Sequence, residues 1–63
     1  MFKVGDKVHF KVDTFIATIK DTVSKSEVME VLDVCLISKS FYELRFKDKI
    51  ICAFEHELVS IEE

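Results

Sequence analysis

The side chains of this sequence that could perform chemistry are two cysteines and two histidines, since thiolate and imidazole groups bind metals and act as nucleophiles or bases. They are Cys35, Cys52, His9 and His56. Three residues separate Cys52 from His56, whereas Cys35 and His9 stand alone in the sequence. A structural zinc site usually shows a close ligand pair at both ends, and here at most one such pair exists. The sequence therefore predicts no metal site and no other cofactor.

A catalytic site is not predicted either. Cys52 lies within the apolar run Ile50–Phe54, and a thiol buried in apolar surroundings is inert. The chain has a single glycine, which excludes a glycine-rich phosphate loop, and it contains no nucleophile-elbow pattern. Both cysteines are expected to be buried and reduced. We therefore expect a protein that is not an enzyme.

Length and composition set the class of protein. The 63 residues allow one domain, residues 1–63, and 49% hydrophobic with 33% charged residues is enough for a core and for solubility. No apolar run approaches the roughly 20 residues of a membrane helix. The start of the sequence has no signal-peptide core, so a cytoplasmic location is expected. The net charge of −3 disfavours general binding to nucleic acid.

The stretch Phe41–Phe54 predicts a hairpin against which the rest of the chain packs. Apolar residues alternate with charged ones in its first half, which predicts a strand with Tyr42, Leu44 and Phe46 on the buried face. Lys47–Lys49 is a polar break, and Ile50–Phe54 reads as a strand buried on more than one side.

The first third of the chain predicts two further strands after a turn at Gly5. Lys7–Asp13 alternates cleanly, with Val8, Phe10 and Val12 on one side. Phe15–Lys20 follows, with Phe15, Ala17 and Ile19 expected to point inward.

The middle of the chain has two interpretations. Asp21–Glu27 is the most polar window and predicts a loop, although Ser24 and Glu27 also fit a capping box ahead of a helix over about residues 25–34. We favour a long strand, Val28–Ile37, because the segment is rich in valine and isoleucine. Both faces of that strand are apolar, so either it bends to serve two sheets or one face meets a partner. Leu58–Ile61 is predicted as a short closing strand.

Four short motifs resemble the small SH3-like β-barrels of the KOW/Tudor-like kind, as found in short bacterial and phage proteins. Phe2–Val8 is similar to an opening F-x-V-G-D-x-V, Ala17–Ile19 to G-T-I, Tyr42–Asp48 to Y-x-V-x-F-x-D and Glu57–Val59 to a closing E-x-L. The resemblance implies an all-β, five-stranded SH3-like barrel, to which the capping-box pattern adds at most one short helical turn near residues 24–27. It also implies a binding module, because such barrels recognise peptides, proteins or nucleic acids and rarely catalyse.

The functional expectation is a protein-interaction module, in keeping with an accessory protein of a phage or mobile element that binds and modulates a host protein. The residues expected at its interaction surface are Phe41, Arg45, Ile51, Ile16 and Val59. An unsatisfied strand edge could also pair with a second copy of the chain. The alternative is an accessory protein that binds nucleic acid through lysine-rich strand faces, such as the face that carries Lys7, His9 and Lys11.

Overall fold

The computed structural model describes residues 2–35 and 41–61, and its regular structure consists of strands and one 3₁₀ turn. The strands are β1 (Lys7–Phe10), β2 (Thr14–Ile16), β3 (Asp21–Val23), β4 (Met29–Cys35), β5 (Phe41–Phe46), β6 (Lys49–Phe54) and β7 (Leu58–Ser60). The 3₁₀ turn, Glu55–Glu57, joins β6 to β7. The prediction of an all-β fold is confirmed.

Five strands form one antiparallel sheet in the order β6-β5-β4-β1-β7, and β2 and β3 form a separate hairpin. Among the described residues the larger sheet has two edges, β6 and β7, so these strands do not close into the predicted five-stranded barrel. The hairpin packs Ile16 and Ile19 against the core. The architecture is thus an open sheet whose inner face is covered by a hairpin.

The core lies between the sheet and the hairpin, and its side chains come from six strands. Its buried members are Val8, Phe10, Val23, Met29, Val31, Tyr42, Leu44, Phe46, Ile51, Ala53 and Leu58. The inward face predicted for β5 is therefore confirmed in full, and that of β1 is confirmed at Val8 and Phe10. Val12 lies beyond the end of β1 and is exposed, so its predicted burial is wrong.

The strand predicted over Phe15–Lys20 is wrong beyond Ile16. The chain turns at Ala17–Lys20, where the N–H of Ile19 donates to the carbonyl of Ile16 at 3.2 Å and Lys20 adopts a left-handed φ of 53°. Because the turn breaks the period of two, Ile16 and Ile19 pack on the core while Phe15 points to solvent, the reverse of the expected faces for Phe15 and Ile16. The return strand β3 occupies part of the predicted loop.

The helix considered for residues 25–34 does not form, because β4 occupies Met29–Cys35. Ser24–Glu27 makes a single hydrogen-bonded turn that contains no helix, with the N–H of Glu27 donating to the carbonyl of Ser24 at 2.9 Å. The last residues of the predicted strand, 36 and 37, lie outside the described residues.

A β-bulge at Leu32 explains why both faces of β4 are apolar. Val31 pairs with Leu44 and Asp33 pairs with Glu43, so Leu32 has no partner in the register and the strand changes face there. Val31 points inward before the bulge, and Val34 packs against the core after it. β4 stays within one sheet, so the predicted bend between two sheets is wrong, and the reversal of the inward face at Leu32 accounts for the apolar residues on both faces. That one face meets a partner stays a prediction.

Candidate interaction surface

The structure places the five residues predicted for an interaction surface in four different regions. Phe41 and Arg45 lie together on the solvent side of β5. Ile16 is half-buried in the β2–β3 hairpin, and Val59 is exposed on β7, at the far edge of the sheet. Ile51 is 1% exposed and belongs to the core, so its predicted place on the surface is wrong.

The error at Ile51 has a simple geometric cause. The hairpin turn consists of Lys47 and Asp48 alone, with Phe46 paired to Lys49, and this register sets Ile51 opposite the buried Leu44. The preceding residue, Ile50, takes the outward position and is 59% exposed. Neighbouring residues of a strand point to opposite faces, so a shift of one position exchanges a core residue for a surface residue.

The outward side chains of β4, β5 and β6 form one continuous surface, here called the outer face. Its members are Glu30, Asp33, Cys35, Phe41, Glu43, Arg45, Ile50, Cys52 and Phe54. They are arranged in three rows across the strands: Glu30–Arg45–Ile50, Asp33–Glu43–Cys52 and Cys35–Phe41–Phe54.

An aromatic cluster lies at one end of the outer face. The rings of Phe41 and Phe54 contact each other with centroids 5.0 Å apart, and the His56 ring stacks on Phe54 at 5.8 Å with an interplanar angle of 15°. Phe54 remains 44% exposed and His56 is also exposed. The three rings offer an aromatic surface to a binding partner.

Hydrogen bonds donated by Phe54, Tyr42 and Lys11 hold the 3₁₀ turn that carries His56. The N–H of Phe54 donates to Glu57 Oε1 at 3.1 Å, which secures the start of the turn. The buried Tyr42 hydroxyl donates to Glu55 Oε1 at 3.5 Å and accepts from the N–H of Phe2 at 3.1 Å. The aromatic cluster therefore lies on a segment that is tied to the core.

The outer face is predominantly acidic. It carries three acidic side chains, Glu30, Asp33 and Glu43, and one basic side chain, Arg45. Next to Phe41 the surface forms a groove of about 240 Å³ lined by Asp33, Glu43 and the two cysteines. A surface of this charge attracts cationic groups and repels phosphates.

Both cysteines are free and lie on the outer face, and the expectation that they are buried is wrong: Cys52 is exposed and Cys35 is half-buried. Burial, the carboxylate of Glu43 and the Cys35 thiol, in that order, raise the pKa of the Cys52 thiol above its ordinary value. A raised pKa keeps the thiol protonated at neutral pH, which lowers its nucleophilicity. Cys52 is therefore accessible but not activated.

The two histidines lie away from the two cysteines. His56 lines a different groove, with Phe2, Lys11 and Glu55, and the Nδ1 of His9 donates to the carbonyl of Phe10 at 3.0 Å. Among residues 2–35 and 41–61 no three cysteine, histidine or acidic side chains come together as metal ligands. The described part of the chain also contains no helix of the length and apolarity that a membrane span requires.

The free edge of the sheet at β6 borders a second groove. This groove, of about 350 Å³, lies between β6 and the tip of the β2–β3 hairpin and is lined by Phe15, Ile16, Ala17, Thr18, Ile50, Ile51 and Cys52. Phe15 is 65% exposed there. Apolar side chains thus flank the edge of β6 on both faces of the sheet.

Sequence reasoning missed Ile50 and Phe54 as surface residues, and it missed the contact of His56 with Phe54. The outward position of Phe54 could have been predicted from the turn. With a two-residue turn at Lys47–Asp48, counting outward from the turn along both strands pairs Phe41 with Phe54. The stacking of His56 had no such signal, since it depends on the 3₁₀ turn that follows β6. No protein-family model, curated protein or solved structure matches this chain.

Proposed function

We propose that this chain is a non-catalytic protein-interaction module that binds its partner through the outer face. The observation that carries the proposal is the partly exposed aromatic cluster of Phe41, Phe54 and His56. Exposed aromatic groups held in fixed positions are typical anchors of protein interfaces, because they bury a large area at little cost in conformational entropy.

The charge around the cluster defines the kind of partner. Asp33 and Glu43 line the groove beside Phe41, and the acidic residues Glu55 and Glu57 flank His56 in the sequence. A partner that presents an apolar side chain surrounded by lysine or arginine complements this surface. The same carboxylates disfavour binding of nucleic acid, because bases stacked on the rings would bring their phosphates close to these negative charges.

We further propose that the fold is related to the SH3-like barrels that the sequence motifs resemble. The support is positional: the F-x-V-G-D-x-V motif contains the turn at Gly5, which has a φ of 96°, and leads into β1. The E-x-L motif spans the end of the 3₁₀ turn and the start of β7. A small accessory protein that binds and modulates a host protein remains the role that we propose for such a module.

The experiment is a comparative affinity capture. Wild-type protein, a Phe41→Glu variant and a Val12→Glu variant are immobilised and incubated with lysate of the source cells, and the captured proteins are quantified by mass spectrometry. Val12 is the matched control, because it is an exposed apolar residue outside the outer face. Loss of an aromatic anchor of an interface is expected to weaken capture about tenfold or more.

Two results would contradict the proposal. One is capture by Phe41→Glu at the wild-type level, since the outer face would then make no contribution. The other is retention of DNA or RNA by the wild-type protein at physiological salt in a gel-shift assay, which would favour the lysine-based alternative.

A further inference from the structure

The edge strand β6 presents a defined set of backbone groups to solvent. Phe46 and Lys49 flank the two-residue turn and pair with each other, so the N–H of Lys49 points toward β5. Backbone groups alternate along an antiparallel strand, and those of Ile50, Cys52 and Phe54 therefore point to the open edge. The bond from the N–H of Phe54 to Glu57 agrees with this direction. In the described part of the chain, the backbone groups of Ile50 and Cys52 have no partner on that side.

Apolar side chains flank this edge on both faces of the sheet. Ile50 and Phe54 project from the outer face, and Phe15 lies on the hairpin side, along the groove of about 350 Å³. A strand added to β6 would satisfy its backbone groups and cover these three side chains at the same time. The edge thus combines open hydrogen-bonding groups with the apolar area that an interface core needs.

We propose that the occupant of this edge is a second copy of the chain, whose β6 pairs antiparallel with the first around a two-fold axis at Cys52. This association goes beyond the proposed function: it uses the edge of β6, and it shares Phe54 with the aromatic cluster through which the partner is proposed to bind. With Cys52 opposite Cys52 of the second copy, Ile50 lies opposite Phe54 of the second copy. Lys49, at the start of β6, then lies near Glu55, the first residue of the 3₁₀ turn of the second copy, which brings unlike charges near each other.

The neighbouring registers are less complementary. Ile50, Cys52 and Phe54 direct their backbone groups outward, so a symmetric register sets residues of this alternating series opposite one another. An axis at Ile51 would place the Asp48 carboxylate opposite a phenyl ring, that of Phe54. An axis at Ile50 would place Asp48 opposite Cys52. Of these three registers, the axis at Cys52 is the one that sets apolar side chains opposite each other along β6.

This register makes a chemical crosslink diagnostic. Directly opposed, hydrogen-bonded residues of antiparallel strands have Cα atoms about 5.5 Å apart, which suits a disulfide. Within one copy, Cys35 and Cys52 lie on the two strands that flank β5, about two strand spacings or 9–10 Å apart, which is too far for a bridge. Oxidation should therefore join Cys52 to Cys52 and should leave Cys35 free.

The experiment treats wild-type, Cys35→Ser and Cys52→Ser proteins with diamide under native conditions, followed by non-reducing electrophoresis. Diamide accepts the two electrons and two protons that the two thiols lose, and becomes the hydrazine. We expect a covalent dimer from the wild type and from Cys35→Ser, and none from Cys52→Ser. A dimer that forms through Cys35, or no dimer from Cys35→Ser, overturns the proposal.

A second measurement tests the proposed dimer without using the thiols. Sedimentation velocity of the reduced protein over a dilution series should show a dimer for the wild type and for Val12→Lys, and a monomer for Ile50→Lys. A monomeric wild type at every concentration overturns the dimer and leaves partner capture by the outer face untouched. Conversely, Phe41→Glu should lose the partner and keep the Cys52 crosslink, so the two proposals fail separately.

Discussion

The amide N–H of Phe2 donates a hydrogen bond of 3.1 Å to the hydroxyl of Tyr42, 40 residues further along the chain. Their rings also meet edge to face, with centroids 5.4 Å apart. Tyr42 is fully buried, so its hydroxyl is the polar end of a core side chain that reaches both the first residues and the 3₁₀ turn. One side chain thus ties the start of the described chain and the 3₁₀ turn to the centre of the sheet.

Tyr42→Phe should lower the free energy of unfolding by about 1–2 kcal/mol, because it leaves a part-buried N–H without its acceptor. Urea denaturation followed by circular dichroism measures the change. In a chain that begins at Lys3 the same substitution should cost clearly less. An equal cost in both chains would show that the Phe2 bond contributes nothing.

The turn of the β5–β6 hairpin tests the role of backbone strain. Lys47 has a φ of 57°, a left-handed conformation that costs a non-glycine residue about 1–2 kcal/mol. Lys47→Gly should therefore be more stable than Lys47→Ala by about 1 kcal/mol, since both variants lose the ammonium contact with the Phe46 ring. Asp48 has no positive φ, so alanine should be better than glycine there by about 0.5–1 kcal/mol. Thermal unfolding of the four variants checks that glycine is the more stabilising residue at position 47 and alanine the more stabilising residue at position 48.

The neighbours Ile50 and Ile51 test the register of β6. Ile51→Lys places a charge in the core and should unfold the protein, because an unpaired buried charge costs several kcal/mol. Ile50→Lys should change stability by less than about 0.5 kcal/mol, as is usual for an exposed site. Circular dichroism of both variants tests the register of β6. A folded Ile51→Lys variant would show that this register is wrong.

The reactivity of Cys52 should depend on Glu43. The thiol pKa is raised by burial and then by the Glu43 carboxylate, so less thiolate is present at any pH below that pKa. Glu43→Gln lowers the pKa of Cys52 and should speed its alkylation by iodoacetamide at mildly alkaline pH, in a Cys35→Ser background. Glu30→Gln is the matched control, since Glu30 is on the outer face but pairs with Arg45. The same rate in both variants would exclude the contribution of Glu43.

Strict alternation was the reliable signal in this sequence. Tyr42, Leu44 and Phe46 were placed correctly because charged residues between them left one face for burial. The run Ile50–Phe54 is apolar throughout, so its faces followed from the length of the turn and not from its own pattern. The bulge at Leu32 depends on the partner strand, and no local pattern contains that information.

The β2–β3 hairpin was missed for a different reason. Its turn, Ala17–Lys20, contains no glycine, proline, asparagine or aspartate, the residues by which such turns are usually recognised. Lys20 instead accepts the left-handed conformation. The apparent alternation of Phe15–Lys20 therefore continued through a turn, and the groove beside β6 could not be foreseen.

The two edges of the sheet differ in length: β6 has six residues and β7 has three. Symmetric pairing of β6 with itself consumes the long edge in both copies, and the assembly that results is closed. The edge that remains is short, and a short edge is a poor template for further strands. In the proposed dimer, growth by edge-to-edge addition would therefore stop at two molecules and would not continue into a fibre.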